Sequence, residues 1–137
     1  MNNFEKNYEL ALNNAKRLSD KILIDGKLIS AQTDKKIPVV NPSTGENIGS
    51  SPQCDKNDVN IAVESAFKAF QKWKKIPARE RGKMVAAGAK RLEERKSEIE
   101  TLLSLDTGNA LRTQAVPETA ASIELTNMFA GLSGELK

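Results

Sequence analysis

The apolar positions along this chain change their spacing once, near residue 55. Before that point they fall in short runs interrupted by turn residues. After it they recur at three- and four-residue steps, the period of a helix face. An exception stands at the front: Phe4, Tyr8, Leu12, Ala15 and Leu18 follow helical spacing, which predicts a short amphipathic helix or arm over residues 3–18.

The first β-prone stretch is KILIDGKLIS, in which Ile22 to Ile24 and Leu28 to Ile29 flank Asp25-Gly26. That dipeptide accepts positive φ cheaply and closes a two-residue hairpin turn. A second pair, Ile37 to Val40 and Asn47 to Ile48, flanks an Asn-Pro-Ser-Thr-Gly cluster. There Pro42 fixes φ and Gly45 can take the left-handed position. Two successive hairpins predict a small antiparallel layer, which needs a helix or a larger sheet against one face.

Asp55 is a good N-cap, and behind it Val59, Ala62, Val63, Ala66, Phe67, Phe70 and Trp73 form one continuous apolar stripe. Pro77 ends this helix and opens another, with Val85, Ala89 and Leu92 expected inside. Ser97 and Glu100 have capping-box spacing ahead of Ile99, Leu102 and Leu103, and Gly108 can terminate that helix. A last helix from about Pro117 carries Ala121, Leu125, Met128, Phe129 and Leu132 on one face. The pattern thus predicts two hairpins followed by four helices.

Charge and composition then narrow the chemistry. The formal charge of +3 comes from 21 basic and 18 acidic residues mixed along the chain, so no basic stripe points to nucleic acid. The cluster of Arg79, Arg81, Lys83, Lys90, Arg91, Arg95 and Lys96 is interleaved with glutamates and reads as a solvated helix face. With no histidine and one cysteine, imidazole-based sites and an internal disulfide are absent, and a cytoplasmic location is expected. No apolar run approaches membrane-spanning length, and the N-terminus lacks the basic and apolar segments of a signal peptide.

No phosphate cradle of the GxxxxGK[ST] or GxGxxG type is present. Ser43 and Thr44 are explained by turn chemistry. Cys54, just ahead of the Asp55 cap, has neither a histidine nor a second cysteine to activate it and reads as an incidental loop residue.

Five features in order carry a family resemblance: Asn41-Pro42-x-x-Gly45-Glu46, Ala69-Phe70-x-x-Trp73, the arginine-bearing helix start at Arg79 and Arg81, Asp106-Thr107-Gly108, and Phe129-Ala130-Gly131. From Lys21 to Lys137 the chain resembles the N-terminal part of the aldehyde dehydrogenase superfamily, and the aspartate form of the Asp106-Thr107-Gly108 motif is most similar to betaine-aldehyde dehydrogenases. Asn109 departs from that pattern, which has lysine there.

The resemblance implies an incomplete α/β fold: N-terminal β-hairpins plus covering helices of an NAD(P)-binding, Rossmann-like domain. It divides the chain into an arm or helix over 1–20 and a partial domain over 21–137. The family's catalytic cysteine, glutamate and asparagine, and its cofactor-holding segment, fall after the last residue of this chain, so no catalytic or cofactor-binding residue carries over.

A monovalent cation, potassium or sodium, is implied at the backbone carbonyls of Val39 and Val40 and the carboxylate of Asp106. Met128 and Phe129 fall on a helix that resembles the one near the family's substrate entrance, although ordinary core packing is the favoured reading of both. The expected function is therefore the N-terminal fragment of an NAD- or NADP-dependent oxidoreductase that converts an aldehyde to a carboxylic acid, inactive by itself. The whole enzyme is implied to be a homo-oligomer without nucleic-acid or membrane partners.

Two alternatives differ in class. One is a non-catalytic module that pairs with a full-length or complementary dehydrogenase chain. The other is a small helical protein of unrelated function. An incomplete domain should leave the stripes of Phe67, Phe70 and Trp73, and of Leu125, Met128 and Phe129, exposed and prone to self-association. An unrelated self-standing protein should bury them.

Overall fold

A computed structural model of the chain describes residues 3–135. The first two residues of the predicted arm and the last two of the closing segment lie outside the described residues. In chain order the elements are helix α1 (Asn3–Leu18), strands β1 (Lys21–Ile24), β2 (Lys27–Ser30), β3 (Lys36–Val40) and β4 (Asn47–Pro52), then α2 (Lys56–Trp73), α3 (Ala78–Glu94), α4 (Lys96–Thr107) and α5 (Val116–Leu132). A single π-helical turn, Leu111–Ala115, leads into α5.

Both predicted hairpins form. Asp25 and Gly26 take φ of 52° and 71°, so the first turn is of the mirror-image type that matches strand twist. The strands pair Lys21 with Ser30 through Ile24 with Lys27. In the second hairpin Lys36 pairs with Pro52, and a bulge separates Val39 from Val40. The expected single layer does not form: among the described residues the hairpins remain two separate two-stranded sheets. Their link is the Ser19-Asp20 corner. There the Asp20 N–H donates to the Ser50 carbonyl, and the Ser50 hydroxyl donates to the Asp20 carboxylate.

Helix α2 starts where expected, on Asp55. The cap is reciprocal, because the Asp55 carboxylate accepts from the Asn57 and Asp58 N–H groups while Asp58 accepts from the Asp55 N–H. This is the capping box of the chain. The one expected at Ser97 and Glu100 is absent: α4 begins at Lys96, and the Ser97 carbonyl already accepts from the Thr101 hydroxyl inside the helix. Gly108 does end α4, in the left-handed conformation at φ 73°.

The core is small. Ala11 of α1, Ile48 of β4 and Leu105 of α4 form its buried centre, with Tyr8, Leu12, Val39 and Leu102 against it. A second contact joins α3 to α5, where Gly82 allows close approach: a Cβ there would lie 2.5 Å from the Ala130 carbonyl oxygen. Of the three residues expected inside α3, Ala89 is buried, whereas Val85 and Leu92 stay more than one-third exposed. Small residues, not large ones, seat α3 on α5.

Candidate functional site

The Asn41-Pro42 turn and the Asp106-Thr107-Gly108 segment, about 65 residues apart in sequence, meet in the fold. Asn41 is buried and organises the turn. Its side chain accepts from the Ser43 N–H, its carbonyl accepts from Thr44 and Gly45, and its own N–H donates to the Glu46 carbonyl. The next residue, Pro42, lies against Gly108. A Cβ on Gly108 would come within 2.7 Å of the Pro42 ring. Glycine is therefore required at 108 twice over, by its positive φ and by this contact.

The contact brings the implied cation residues to one region. Val39 and Asp106 line the same cavity, of about 410 Å³, between α1, the β3–β4 hairpin and α4. Its walls are mostly apolar, with Leu18, Ile48, Ile99 and Leu102 among them. Val40 is next to Val39 across the bulge but is not a lining residue of that cavity. A bulge interrupts the regular ladder, which re-aims the local backbone groups.

Asp106 occupies the last turn of α4, a turn without a basic residue. A helix C-terminus carries partial negative charge, so a carboxylate there is opposed by the helix dipole and favoured by a nearby cation. Lys21 also borders the cavity, but its ammonium donates to the Ser30 hydroxyl at 2.9 Å. Carbonyl and carboxylate oxygens are the donors that a hard cation accepts. Among the described residues no group of three or more His, Cys, Asp and Glu side chains gathers to hold a metal ion.

Cys54 is exposed and free. Among the described residues no helix is long and apolar enough to cross a membrane. Gly26, Gly45 and Gly108 take positive φ, at two turns and a helix end.

Two polar features escaped the sequence reading. Asp58 is buried and also accepts from the Gln32 N–H at 3.0 Å, fastening α2 to the segment after β2. Its signal was the Asp-x-x-Asp spacing from Asp55. The second is Ser19-Asp20, whose hydroxyl and carboxylate bind Ser50; nothing in the spacing marks a contact across 30 residues.

The predicted stripes of α2 and α5 are uncovered. Val63, Phe67 and Phe70 are 61%, 62% and 52% exposed, and Leu125, Met128 and Phe129 are 51%, 50% and 63% exposed. This is the outcome expected of an incomplete domain. Met128 and Phe129 pack into no core among the described residues. Instead α5 buries Thr119, Ile123 and Ala130 on its other side.

Known proteins give this geometry its context. The sequence model of the aldehyde dehydrogenase family matches residues 28–137. Phenylacetaldehyde dehydrogenase of Pseudomonas fluorescens is 34% identical over 122 residues, covering 88% of this chain and 24% of the relative. The structure superimposes on an NAD-dependent benzaldehyde dehydrogenase from Corynebacterium glutamicum with a TM-score of 0.78 and 30% identity, over 84% of this chain and 25% of that one. It also matches betaine aldehyde dehydrogenase from Staphylococcus aureus, solved in complex with NAD+, with a TM-score of 0.82 and 28% identity, over 92% of this chain and 25% of the other. The chain thus spans about a quarter of the length of the relatives it matches.

Proposed function

The chain belongs to the aldehyde dehydrogenase family, and from that premise we propose that it supplies the N-terminal region of an NAD(P)-dependent oxidoreductase that converts an aldehyde to a carboxylic acid. The observation that carries this reading is the family match over residues 28–137, supported by relatives whose names specify phenylacetaldehyde, benzaldehyde and betaine aldehyde. Those dehydrogenase names favour this reading over a stand-alone interaction module. The mixed helices and short sheets agree with an incomplete α/β domain, and on this reading 1–20 is an N-terminal arm or helix and 21–137 the partial domain.

Aldehyde oxidation through a thioester needs an activated thiolate, donors where the oxyanion forms and a hydride acceptor within reach, each lowering the barrier by position. NAD(P) accepts the hydride when bound. These 137 residues offer one exposed thiol without a base and no cofactor cradle, so their part is scaffolding. In the whole enzyme, a homo-oligomer of the reducing cytoplasm on this reading, they position the hairpins and helices around catalytic parts that lie elsewhere.

Within that scaffold, Val39 and Val40 carbonyls and the Asp106 carboxylate would hold potassium or sodium. The support is the shared cavity of Val39 and Asp106, the bulge, and a carboxylate at a helix C-terminus without a basic neighbour in its turn. The residues fit in donor type, and further oxygen ligands must complete a shell of six or more. Thermal unfolding in potassium, sodium and choline chloride tests this without turnover. Wild type should gain stability in potassium or sodium and Asp106→Asn should not; equal response of the two proteins would remove the site.

Catalysis is tested with the purified chain, aliphatic and aromatic aldehydes, and both NAD+ and NADP+, followed by absorbance of reduced nicotinamide. A flat trace is expected. Turnover that disappears in Cys54→Ala would make this thiol catalytic and overturn the scaffolding role.

A further inference from the structure

The accessible surface of the chain is 9838 Å². A compact monomer of 15.0 kDa would expose roughly 7,000 Å², so about 2,800 Å² remains that an autonomous fold would have buried. The excess is apolar in character. No large side chain among the described residues is fully buried, while Phe67, Phe70, Trp73, Leu125, Met128 and Phe129 all stand in contact with solvent.

Helix α5 accounts for part of the deficit. One side is already seated on α3 through Ala130, with Ile123 buried on that same side, yet the opposite side presents Leu125, Met128, Phe129 and Leu132. A helix that is apolar on both sides is an interior helix, packed between two layers. Here one of the two layers is present.

The size of the deficit selects the occupant. A standard interface takes about 800 Å² from each partner, so a second copy seated on α5 would cover less than about one-third of the excess and leave the α2 stripe in water. The relatives are about four times longer than this chain, and the 76% of the Pseudomonas enzyme without a counterpart here is large enough to cover both faces. We propose that the outer face of α5, with the α2 stripe beside it in function, is the docking surface for the complementary three-quarters of an aldehyde dehydrogenase, and that the two associate even as separate polypeptides. This rests on the family membership and on the scaffolding role proposed above.

The test co-expresses the tagged full chain with Pseudomonas fluorescens phenylacetaldehyde dehydrogenase lacking its matched segment, and in parallel with the Staphylococcus aureus betaine aldehyde dehydrogenase cut in the same way. Co-purification as a one-to-one complex by light scattering is expected with at least one of them, with loss of apolar-dye binding and new amide-exchange protection in α5. Phe129→Glu should weaken that complex at least about tenfold, as central apolar anchors do. Its side chain is 63% exposed, so the helical circular dichroism of the isolated variant should stay unchanged.

Failure to co-purify with either complement overturns the proposal. So does a complex insensitive to Phe129→Glu, or a homodimer that protects α5 and excludes both complements. Association is read without turnover. A complex that forms but shows no dehydrogenase activity therefore supports the docking surface while counting against the catalytic scaffold.

Discussion

Two apolar clusters in this chain have similar sequence signatures and opposite fates. Around Ala11, Ile48 and Leu105, three elements from distant parts of the sequence close on one another. Along α2, Val59, Val63, Phe67, Phe70 and Trp73 form a longer and more regular stripe that meets no comparable surface. Periodicity reports that a face will be buried; it does not report by what. The contrast separates what this chain stabilises by itself from what it offers to the rest of a larger fold.

The largest expected effect breaks the closed cluster. Leu105 is 5% exposed, and Leu105→Ala should cost about 2–4 kcal/mol, from lost transfer energy and the cavity left behind. Phe67→Ala removes a larger side chain yet should stay within about 0.5 kcal/mol in the isolated chain, because the ring is already in water. Urea unfolding of both variants checks this. Equal losses would mean that α2 finds cover, by self-association or otherwise, and repeating Phe67→Ala at several protein concentrations identifies the former.

A smaller effect sharpens the other side of the comparison. Helix α2 has little side-chain packing to hold it, so its polar attachment carries more of the burden. Asp58→Ala removes the acceptor for the Gln32 and Asp55 N–H groups and should cost about 1–2 kcal/mol. Trp73, the chain's one tryptophan, lies at the far end of α2 and gives a fluorescence readout. Loosening of α2 should appear before global unfolding, since a weakly packed element opens locally. A single transition shared by Trp73 fluorescence and circular dichroism would show α2 to be coupled to the core after all.

The elements were far more legible than their contacts. Both hairpins, the Asp55 cap, the break at Pro77 and the stop at Gly108 follow from local chemistry: Asp-Gly and Asn-Pro turns, a carboxylate cap, and a residue free to take positive φ. What failed depended on neighbours. The hairpins did not merge into one layer and Ser97 became an interior helix residue, while the face of α5 that turns inward, with Thr119, Ile123 and Ala130, went unread. That last choice was hidden because α5 is apolar around its circumference, so the sequence period could not say which face is met first. At the candidate site, the motifs named Asn41, Asp106 and Gly108, while the Pro42–Gly108 contact that joins them is a tertiary fact.

The smallest effect lies at the corner between the two hairpins, on the closed side of the molecule. The Asp20 carboxylate has its pKa lowered, first by the hydrogen bond from Lys36 and then by that from the Ser50 hydroxyl, with partial opposition from desolvation. A depressed folded-state pKa means that the unfolded chain binds the proton more readily. The stabilisation is therefore complete above the ordinary aspartate range and is lost as pH falls through the lower, folded value. Because the group is solvent-accessible, salt screens the pair and the contribution is small. Asp20→Asn is the informative variant, since asparagine tolerates the φ of 61° found there and can still accept from Ser50. Wild type should lose stability on acidification slightly more steeply than Asp20→Asn below the aspartate range, and the difference should shrink in molar sodium chloride. Parallel curves at both ionic strengths would show that the backbone bond between Asp20 and Ser50, not the carboxylate, holds this corner together.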